Sequence, residues 1–144
     1  MSVKQISVFL ENRPGCLHEM TKVLADSNID LRGLSLAETS EFGIVRLIVD
    51  DVLGTATVLK DAGFVSSLTD VIAVEVPNVP GGLNKVLEIL HGEKINIEYM
   101  YAILGNKKSE SAYMIFRVND NEKATAALNN SGIKIMEPSE LSAL

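Results

Sequence analysis

The sequence predicts an α+β protein made of two βαββαβ units in tandem. The chain has 144 residues, of which 47% are hydrophobic, and this is enough apolar material for one ordinary domain or two small ones. Its second half repeats its first, because Pro80-Gly81 follows Pro14-Gly15 at an interval of 66 residues. Within each repeat, the spacing of apolar residues switches between that of a strand and that of a helix. We therefore assign residues 1–69 to one domain and residues 70–144 to a second.

Each repeat opens with a strand that ends at the Pro-Gly turn and leads into a helix. Strict alternation predicts the strands, with apolar residues at Ile6, Val8 and Leu10 and at Ile72, Val74 and Val76. After the turn, helical spacing predicts one apolar stripe per helix, formed by Leu17, Met20, Val23 and Leu24 and by Leu83, Val86, Leu87 and Leu90. We expect these helices to end near Ser27-Asn28 and His91-Gly92.

The second half of each repeat supplies two more strands, a helix and a closing strand. We expect second strands over 29–38 and 95–104, third strands over 43–50 and 111–119, helices over 52–62 and 121–131, and final strands over 64–68 and 133–136. Gly43 and Gly105-Asn106 mark the hairpin links, and Gly63 and Gly132 the helix C-caps. This order is that of a ferredoxin-like sandwich, an antiparallel sheet with two helices on one face. The short linker Thr69-Asp70 predicts that the two domains pack beside each other as a pseudo-twofold pair.

Composition argues against several classes of function. The net charge is −6 and basic residues are scattered, so the sequence predicts no nucleic-acid partner. The single cysteine, Cys16, rules out an internal disulfide, and the separation of His18 from His91 predicts no metal site. The pair Gly81-Gly82 lacks the spacing of a P-loop or a dinucleotide fingerprint, so we expect no cofactor. The N-terminal apolar run is too short for a signal peptide, and no segment approaches about eighteen uninterrupted apolar residues. We expect a cytoplasmic protein with no membrane partner.

The residues around the two Pro-Gly turns resemble those of the ACT domain, the small-molecule sensor module of amino-acid metabolism. The first repeat carries the resemblance in the run from Ile6 to Leu17 and in Asn28-Ile29-Asp30-Leu31. The second repeat carries it in Asn78-Val79-Pro80-Gly81-Gly82-Leu83 and in Ile95-Asn96-Ile97. Because the resemblance covers essentially the whole chain, it implies a stand-alone tandem ACT protein without a catalytic domain.

The first repeat is similar to the serine-sensing ACT domain of bacterial phosphoglycerate dehydrogenase, which binds its effector between two such domains. By motif, that resemblance implies ligand contacts from Asn12 and, across the domain interface, from Asn96. Leu10 stands where that domain has a histidine, so the resemblance implies an α-amino acid ligand without identifying serine. In the second pocket Asn78 would face Asp30, so we expect two inequivalent pockets. The expected ligand-binding residues are Asn12, Arg13, Pro14, Gly15, Cys16, Leu17, Asn96, Asn78, Val79, Pro80, Gly81, Gly82, Leu83 and Asp30.

The physical chemistry of the loop Asn-x-Pro-Gly is compatible with recognition of a zwitterion. Glycine allows close approach to the backbone, and the N–H groups at the helix N-terminus favour a carboxylate. An asparagine side chain can accept from an ammonium group and donate to a carboxylate. The alternative is that the motif is only a strand-to-helix turn, with the asparagine capping the chain locally. Two copies at matching positions favour the ligand site.

Three classes of function follow from these observations. The first is a non-catalytic regulatory protein that binds a free L-amino acid and forms a homodimer. The second is a regulatory subunit of a separate amino-acid biosynthetic enzyme, which would be its protein partner. The third is an enzyme, but the only nucleophile and base near one another are Cys16 and His18, which lie on different faces of a helix. We therefore predict no catalytic residues and no enzymatic activity.

Overall fold

The computed structural model describes residues 2–103 and 111–144 and divides the chain into two compact units. Lys4–Thr69 form the first unit, and Asp70–Leu144 form the second together with the N-terminal residues up to Val3. The elements in chain order are β1 (Val3–Glu11), α1 (Cys16–Asp26), β2 (Leu31–Glu38), β3 (Phe42–Val49), α2 (Val52–Asp61), β4 (Val65–Pro77), α3 (Gly82–Gly92), β5 (Ile97–Ile103), β6 (Ser111–Val118), α4 (Asn121–Asn130) and α5 (Pro138–Ser142). The predicted hairpin link Gly105-Asn106 lies outside the described residues.

In the first unit, β3 pairs antiparallel with both β1 and β2, and the part of β4 up to Thr69 completes the sheet beside β1. The predicted alternation of β1 is confirmed, because its alternate apolar residues face one core with their partners on β3 and with α1 and α2. That core is formed by Ile6, Val8, Leu10, Cys16, Met20, Leu24, Val45, Leu47, Val49 and Leu59. Burying this face of the sheet and one stripe of each helix supplies the apolar driving force for the unit.

The second unit repeats this arrangement. Here β6 pairs antiparallel with both β4 and β5, and Val74 forms an isolated bridge with Ile135 on the other edge of β4. Its core combines alternate residues of β4 with α3 and α4, namely Ile72, Val74, Val76, Val86, Leu90, Ile95, Phe116, Val118, Ala124, Leu128 and Ile133. The predicted α+β fold, two ferredoxin-like units with antiparallel sheets and helices on one face, is therefore confirmed.

Three details of the C-terminal strands differ from the prediction. The expected final strand over 64–68, the linker Thr69-Asp70 and the strand containing Ile72 are one strand, β4, because no turn-forming glycine or proline interrupts this β-branched segment. The expected final strand over 133–136 is reduced to the bridge at Ile135 with one backbone hydrogen bond on either side, because the chain enters α5 at Pro138. The helix α5 is an addition that the sequence did not predict, because five residues are too few to show helical periodicity.

The helix ends reuse the same geometry in both units. The C-cap residues are Ala62 and Ser131, and the predicted glycines, Gly63 and Gly132, follow them with positive φ values of 86° and 78°. This position after the C-cap is where a left-handed glycine commonly ends a helix. The predicted stops of the first helices are also confirmed, and the residues that follow them, Asn28 and Lys94, both have φ of 56°. Asparagine tolerates this left-handed conformation, but lysine adopts it at a cost of about 1–2 kcal/mol. Lys94 is therefore a strained residue on an exposed turn.

This strain predicts that Lys94→Gly stabilises the protein. The free energy of unfolding should rise by about 0.5–1 kcal/mol, because glycine takes a positive φ without steric penalty, and urea titration would measure the gain. A matched control is Lys85→Gly, which places glycine inside α3 and should lower stability by about 1 kcal/mol. Equal losses in the two variants would contradict the strain at Lys94.

Candidate functional site

The loop between β1 and α1 presents main-chain N–H groups outward. Gly15 has φ of 89°, which turns the chain so that α1 begins at the next residue. The first intrahelical hydrogen bond runs from the Glu19 N–H to the Gly15 carbonyl at 2.9 Å, and no side chain caps this helix. The amides of Leu17 and His18 precede that bond, so they are the donors that a helix N-terminus leaves without intrahelical partners. With the helix dipole they favour an anion.

The loop between β4 and α3 has the same geometry. Gly81 has φ of 84°, the Lys85 N–H donates to the Gly81 carbonyl at 3.1 Å, and no side chain caps α3. A Cβ atom at Gly82 would collide with the carbonyl oxygen of Pro77, so this position requires glycine where the first loop has Cys16. The two predicted loops therefore share one backbone design and differ in their side chains.

Asn12 connects its loop to the neighbouring hairpin. Its Nδ2 donates to the Thr39 carbonyl at 3.1 Å, and its backbone N–H donates to the Glu41 carbonyl at 2.9 Å. This is the local structural role that the sequence allowed as an alternative, yet the residue is exposed. The carboxamide is therefore held in place at the surface by its bond to Thr39. Asn78 is exposed at the matching position.

Of the remaining predicted residues of the first loop, some are charged or exposed at the surface and others are buried in the core. The Arg13 guanidinium lies 3.1 Å from the Glu11 carboxylate and 3.6 Å from that of Glu19, and the hydrogen bond to Glu11 raises the pKa of Arg13. Pro14 is exposed, whereas Cys16 is only 6% exposed and lies in the core. The Cys16 thiol is therefore a packing group, and this position offers a ligand its backbone only.

The second loop has the same division but lacks the cation. Val79 stands where the first loop has Arg13 and is 62% exposed, next to exposed Pro80. Gly82 is buried, and Leu83 packs against the core of its unit as Leu17 does in the first. A ligand at this loop meets an apolar and uncharged edge in place of the Arg13 cluster.

The residues that open the second strands, Asp30 and Asn96, occupy equivalent positions. The Asp30 N–H donates to Asp50 Oδ1 at 3.3 Å, and the Asn96 N–H donates to Asn119 Oδ1 at 3.0 Å. Both side chains are exposed, but the Asp30 carboxylate lies 3.4 Å from the Arg32 guanidinium. Its negative charge is thus partly compensated within its own unit, a feature that the sequence prediction did not include.

A cavity of about 620 Å³ opens beside the second loop. Asn78 and Val79 line it together with Glu75, Ser111 and Lys134, which sequence reasoning missed. These positions carry different residues in the two repeats, so the repeat pattern does not single them out. Their proximity also depends on the pairing of β4 with β6 and with the bridge at Ile135, which no local pattern reveals.

The C-terminal helix α5 reaches one of these cavity residues. Lys134 Nζ lies 2.6 Å from Glu140 Oε2, and Glu140 Oε1 accepts the Glu137 N–H at 3.2 Å to close a capping box. The hydrogen bond with Glu140 raises the pKa of Lys134 above its ordinary 10.5. The same bond, followed by the Glu137 N–H, lowers the pKa of Glu140 below its ordinary 4.5.

A larger cavity of about 830 Å³ lies between α4 and the edge of β4 in the second unit. Asp70, Asn121 and Glu122 contribute polar groups to its wall, and no lysine or arginine of residues 2–103 and 111–144 lines it. The buried Asn121 Oδ1 accepts no hydrogen bond from the described residues, while its Nδ2 donates to the Asp70 carbonyl at 3.2 Å.

Two further features bear on the predictions from composition. Within residues 2–103 and 111–144, histidine, cysteine and acidic side chains form no cluster of three or more that could hold a metal ion. In the same part of the chain, every helix is too short or too polar to cross a membrane.

The paired units and their glycine-turned loops define a pair of ACT domains, and comparison with known families agrees. The ACT domain pair family matches residues 1–144, and the chain belongs to this family. ACT domains are regulatory domains that bind amino acids, which confirms the resemblance and the class of protein predicted from the sequence. Curated proteins provide no significant match.

Solved structures include a similar protein over the full chain. Protein BT0572 from Bacteroides thetaiotaomicron is 41% identical, with a TM-score of 0.93 and coverage of 100% of this chain and 98% of that chain. The regulatory subunit of aspartate kinase from Thermus thermophilus is 18% identical, with a TM-score of 0.66 and coverage of 92% of each chain. The corresponding subunit from Thermus flavus is 16% identical, with a TM-score of 0.62 and coverage of 90% of this chain and 92% of that chain. The two subunits share the fold.

The pair Lys134 and Glu140 predicts a pH-dependent contribution to stability. Because the pKa of Glu140 is lowered on folding, its contribution is present above the ordinary value of 4.5 and is lost as the pH falls through the folded value. Because the pKa of Lys134 is raised, the contribution is also lost as the pH rises above 10.5. We expect Lys134→Gln to be less stable than the parent at neutral pH and equally stable once Glu140 is protonated. Urea titrations across the acid range would measure this, and a difference that does not depend on pH would contradict it.

Proposed function

We propose that the protein is a non-catalytic sensor that binds a free amino acid and thereby regulates amino-acid metabolism. The observation that supports this most directly is the repeated helix N-terminus behind a left-handed glycine, at Gly15 and Gly81, with no side-chain cap in either copy. A turn that served only to reverse the chain would gain stability from a capping side chain. Leaving these N–H groups without one keeps them available to a carboxylate.

The chemistry of an α-amino acid complements the first loop. Its carboxylate would accept from the Leu17 and His18 amides, where the helix dipole favours negative charge. Its ammonium would donate to Asn12 Oδ1, which the hydrogen bond to Thr39 orients. No Cβ lies at Gly15, and the space there is open to 4 Å, so a ligand can approach the backbone closely. The site residues proposed are the two loops, Asn12–Leu17 and Asn78–Leu83.

The resemblance to serine-sensing ACT domains assigns ligand contacts to Asn96 and Asp30 as well. In that arrangement Asn96 completes the site of the Asn12 loop, and Asp30 completes that of the Asn78 loop. An amide and a carboxylate differ in charge, so the two sites have different affinities for one ligand. Binding that favours one conformation over another would then change the affinity for a partner by linkage.

The alternative function is a regulatory subunit of a separate biosynthetic enzyme. It is favoured by exposed apolar side chains on the face of the first unit's sheet that lies opposite its helices, at Phe9 and Phe42, which are 46% and 55% exposed. Neighbouring exposed apolar side chains are typical of surfaces that bind another protein. A second copy of the chain would use the same surface in a homodimer. The aspartate kinase regulatory subunits share this fold, although their low identity leaves the partner of this chain to experiment.

A thermal-melt screen against the twenty L-amino acids tests the sensor proposal. A ligand at about one hundred times its Kd adds about 2.7 kcal/mol, which raises the melting temperature by several degrees for a chain of this size. We expect a selective shift from one amino acid or a few related ones. A flat response from the protein alone, restored when a partner enzyme is added, would move the conclusion to the subunit function.

Asn12→Ala should abolish most of the shift that the selected amino acid gives at the Asn12 loop. The variant loses the carboxamide oxygen and the bond to Thr39, so its own stability should fall by about 0.5–1.5 kcal/mol. The matched control is Asn130→Ala, the same change at the exposed end of α4, for which the ligand shift should persist. An undiminished shift in both variants would remove Asn12 from the site.

A further inference from the structure

The cavity beside the Asn78 loop carries opposite charges on one wall. Glu75 lies on β4 and Lys134 on the segment that bridges to it, and both line the cavity of about 620 Å³. A volume of this order is ample for an amino acid. Opposite charges on one wall are the arrangement that a zwitterion requires, because its carboxylate and ammonium need different partners. The wall therefore has the polarity of an amino-acid site.

The sheet register places these two residues side by side. The Glu75 N–H donates to the Lys134 carbonyl at 3.0 Å, next to the antiparallel bridge between Val74 and Ile135. On its other side Glu75 is paired with Tyr113 of β6. Directly opposed residues of antiparallel strands project to the same face with Cβ atoms about 4.5–5.5 Å apart. Since Val74 faces α3 and α4, the row of Tyr113, Glu75 and Lys134 lies on the opposite face.

The first unit has no counterpart of this charged row. The interval of 66 residues puts Phe9 at the position of Glu75. Further along the repeats the interval is 69 residues, as from Gly63 to Gly132, and it puts Ile44 and Val65 at the positions of Tyr113 and Lys134. Phe9 is paired with Ile44 as Glu75 is with Tyr113, which confirms that the positions are equivalent. The duplicated fold is therefore stable with apolar residues here, so folding alone does not require the two charges.

Lys134 already holds a carboxylate that a ligand could replace. Its Nζ lies 2.6 Å from Glu140 Oε2, with side chains 56% and 38% exposed. An exposed ion pair exchanges partners readily, because water and a second carboxylate compete for the same ammonium. Glu140 also holds the first turn of α5 through the Glu137 N–H. Replacing Glu140 on Lys134 would thus loosen the anchoring of α5.

We propose that this cavity binds a free α-amino acid whose ammonium contacts Glu75 and whose carboxylate displaces Glu140 from Lys134, so that occupancy is transmitted to α5. The inference rests on the proposed sensor function and assigns it a site, a ligand class and a responding element. The Asn78 loop closes one side of the cavity, and the buried Leu141 keeps α5 attached while its first turn loosens.

The test compares affinities of the selected amino acid for four single variants. Lys134→Gln and Glu75→Gln should each weaken binding about tenfold, because each removes a charge-assisted contact with the ligand. Glu140→Gln should strengthen binding several-fold, since it removes the competing carboxylate. Lys123→Gln, on exposed α4, is the matched control and should leave the affinity unchanged.

Amide hydrogen exchange provides the second readout. The Leu141 N–H donates to the Glu137 carbonyl at 3.1 Å inside α5. Addition of the amino acid should speed exchange at Leu141 in the parent protein and leave it unchanged in Glu140→Gln, where the ion pair with Lys134 is already absent. This response separates displacement of Glu140 from binding elsewhere.

The outcomes distinguish this inference from the proposed function. Binding that is lost in Asn12→Ala but unaffected by Lys134→Gln and Glu75→Gln would overturn the inference and leave the sensor function standing. Binding of the desamino analogue with equal affinity would overturn the role of Glu75. If none of the twenty amino acids shifts the melting temperature of the parent or of Glu140→Gln, both proposals fall together.

Discussion

The left-handed turn at Gly15 and at Gly81 is the constraint on which the rest of each unit depends. It converts a strand into a helix within a few residues, and so fixes the rotation of that helix over the sheet. With this rotation Met20 and Leu24 enter the first core, and Val86 and Leu90 enter the second. The same turn leaves the first helical N–H groups pointing away from the core. Packing and ligand recognition therefore depend on one backbone conformation.

The two copies keep this turn and diverge around it. In the first, Arg13 is engaged by two carboxylates and Asn12 is tied to the next hairpin, so the loop is charged and positioned. In the second, Val79 replaces the cation, and charge lies instead on the sheet wall at Glu75 and Lys134. Duplication thus preserved what a ferredoxin-like unit needs to fold. The side chains that would select a ligand could then change independently in the two copies.

The sequence predicts most of the fold because local patterns determine it. Alternation, helical stripes and C-cap glycines define ten of the eleven elements by type, and the two loops are identifiable from Pro-Gly alone. Features that depend on which strands pair with each other cannot be predicted from local patterns. Register and tertiary packing determine three such features, namely the continuity of β4 through Asp70, the bridge at Ile135 and the contact of Glu140 with Lys134. For the same reason, the sequence does not predict that Glu75 and Lys134 line one cavity.

The shortened fourth strand of the second unit explains why the proposed response to a bound amino acid would occur in this unit. This segment is held to β4 by the bridge at Ile135 and by two backbone hydrogen bonds, from the Glu75 N–H to the Lys134 carbonyl and from the Met136 N–H to the Ala73 carbonyl. A full strand would form more ladder bonds, so opening this segment breaks fewer of them. The chain released by that shortening forms α5, whose first turn depends on Glu140. An incoming carboxylate on Lys134 would exchange one exposed partner for another, so Lys134 stays paired in both states. The displaced carboxylate of Glu140, whose side chain is 38% exposed, is solvated by water instead. The exchange therefore costs little free energy, and a ligand of modest affinity suffices to shift the populations.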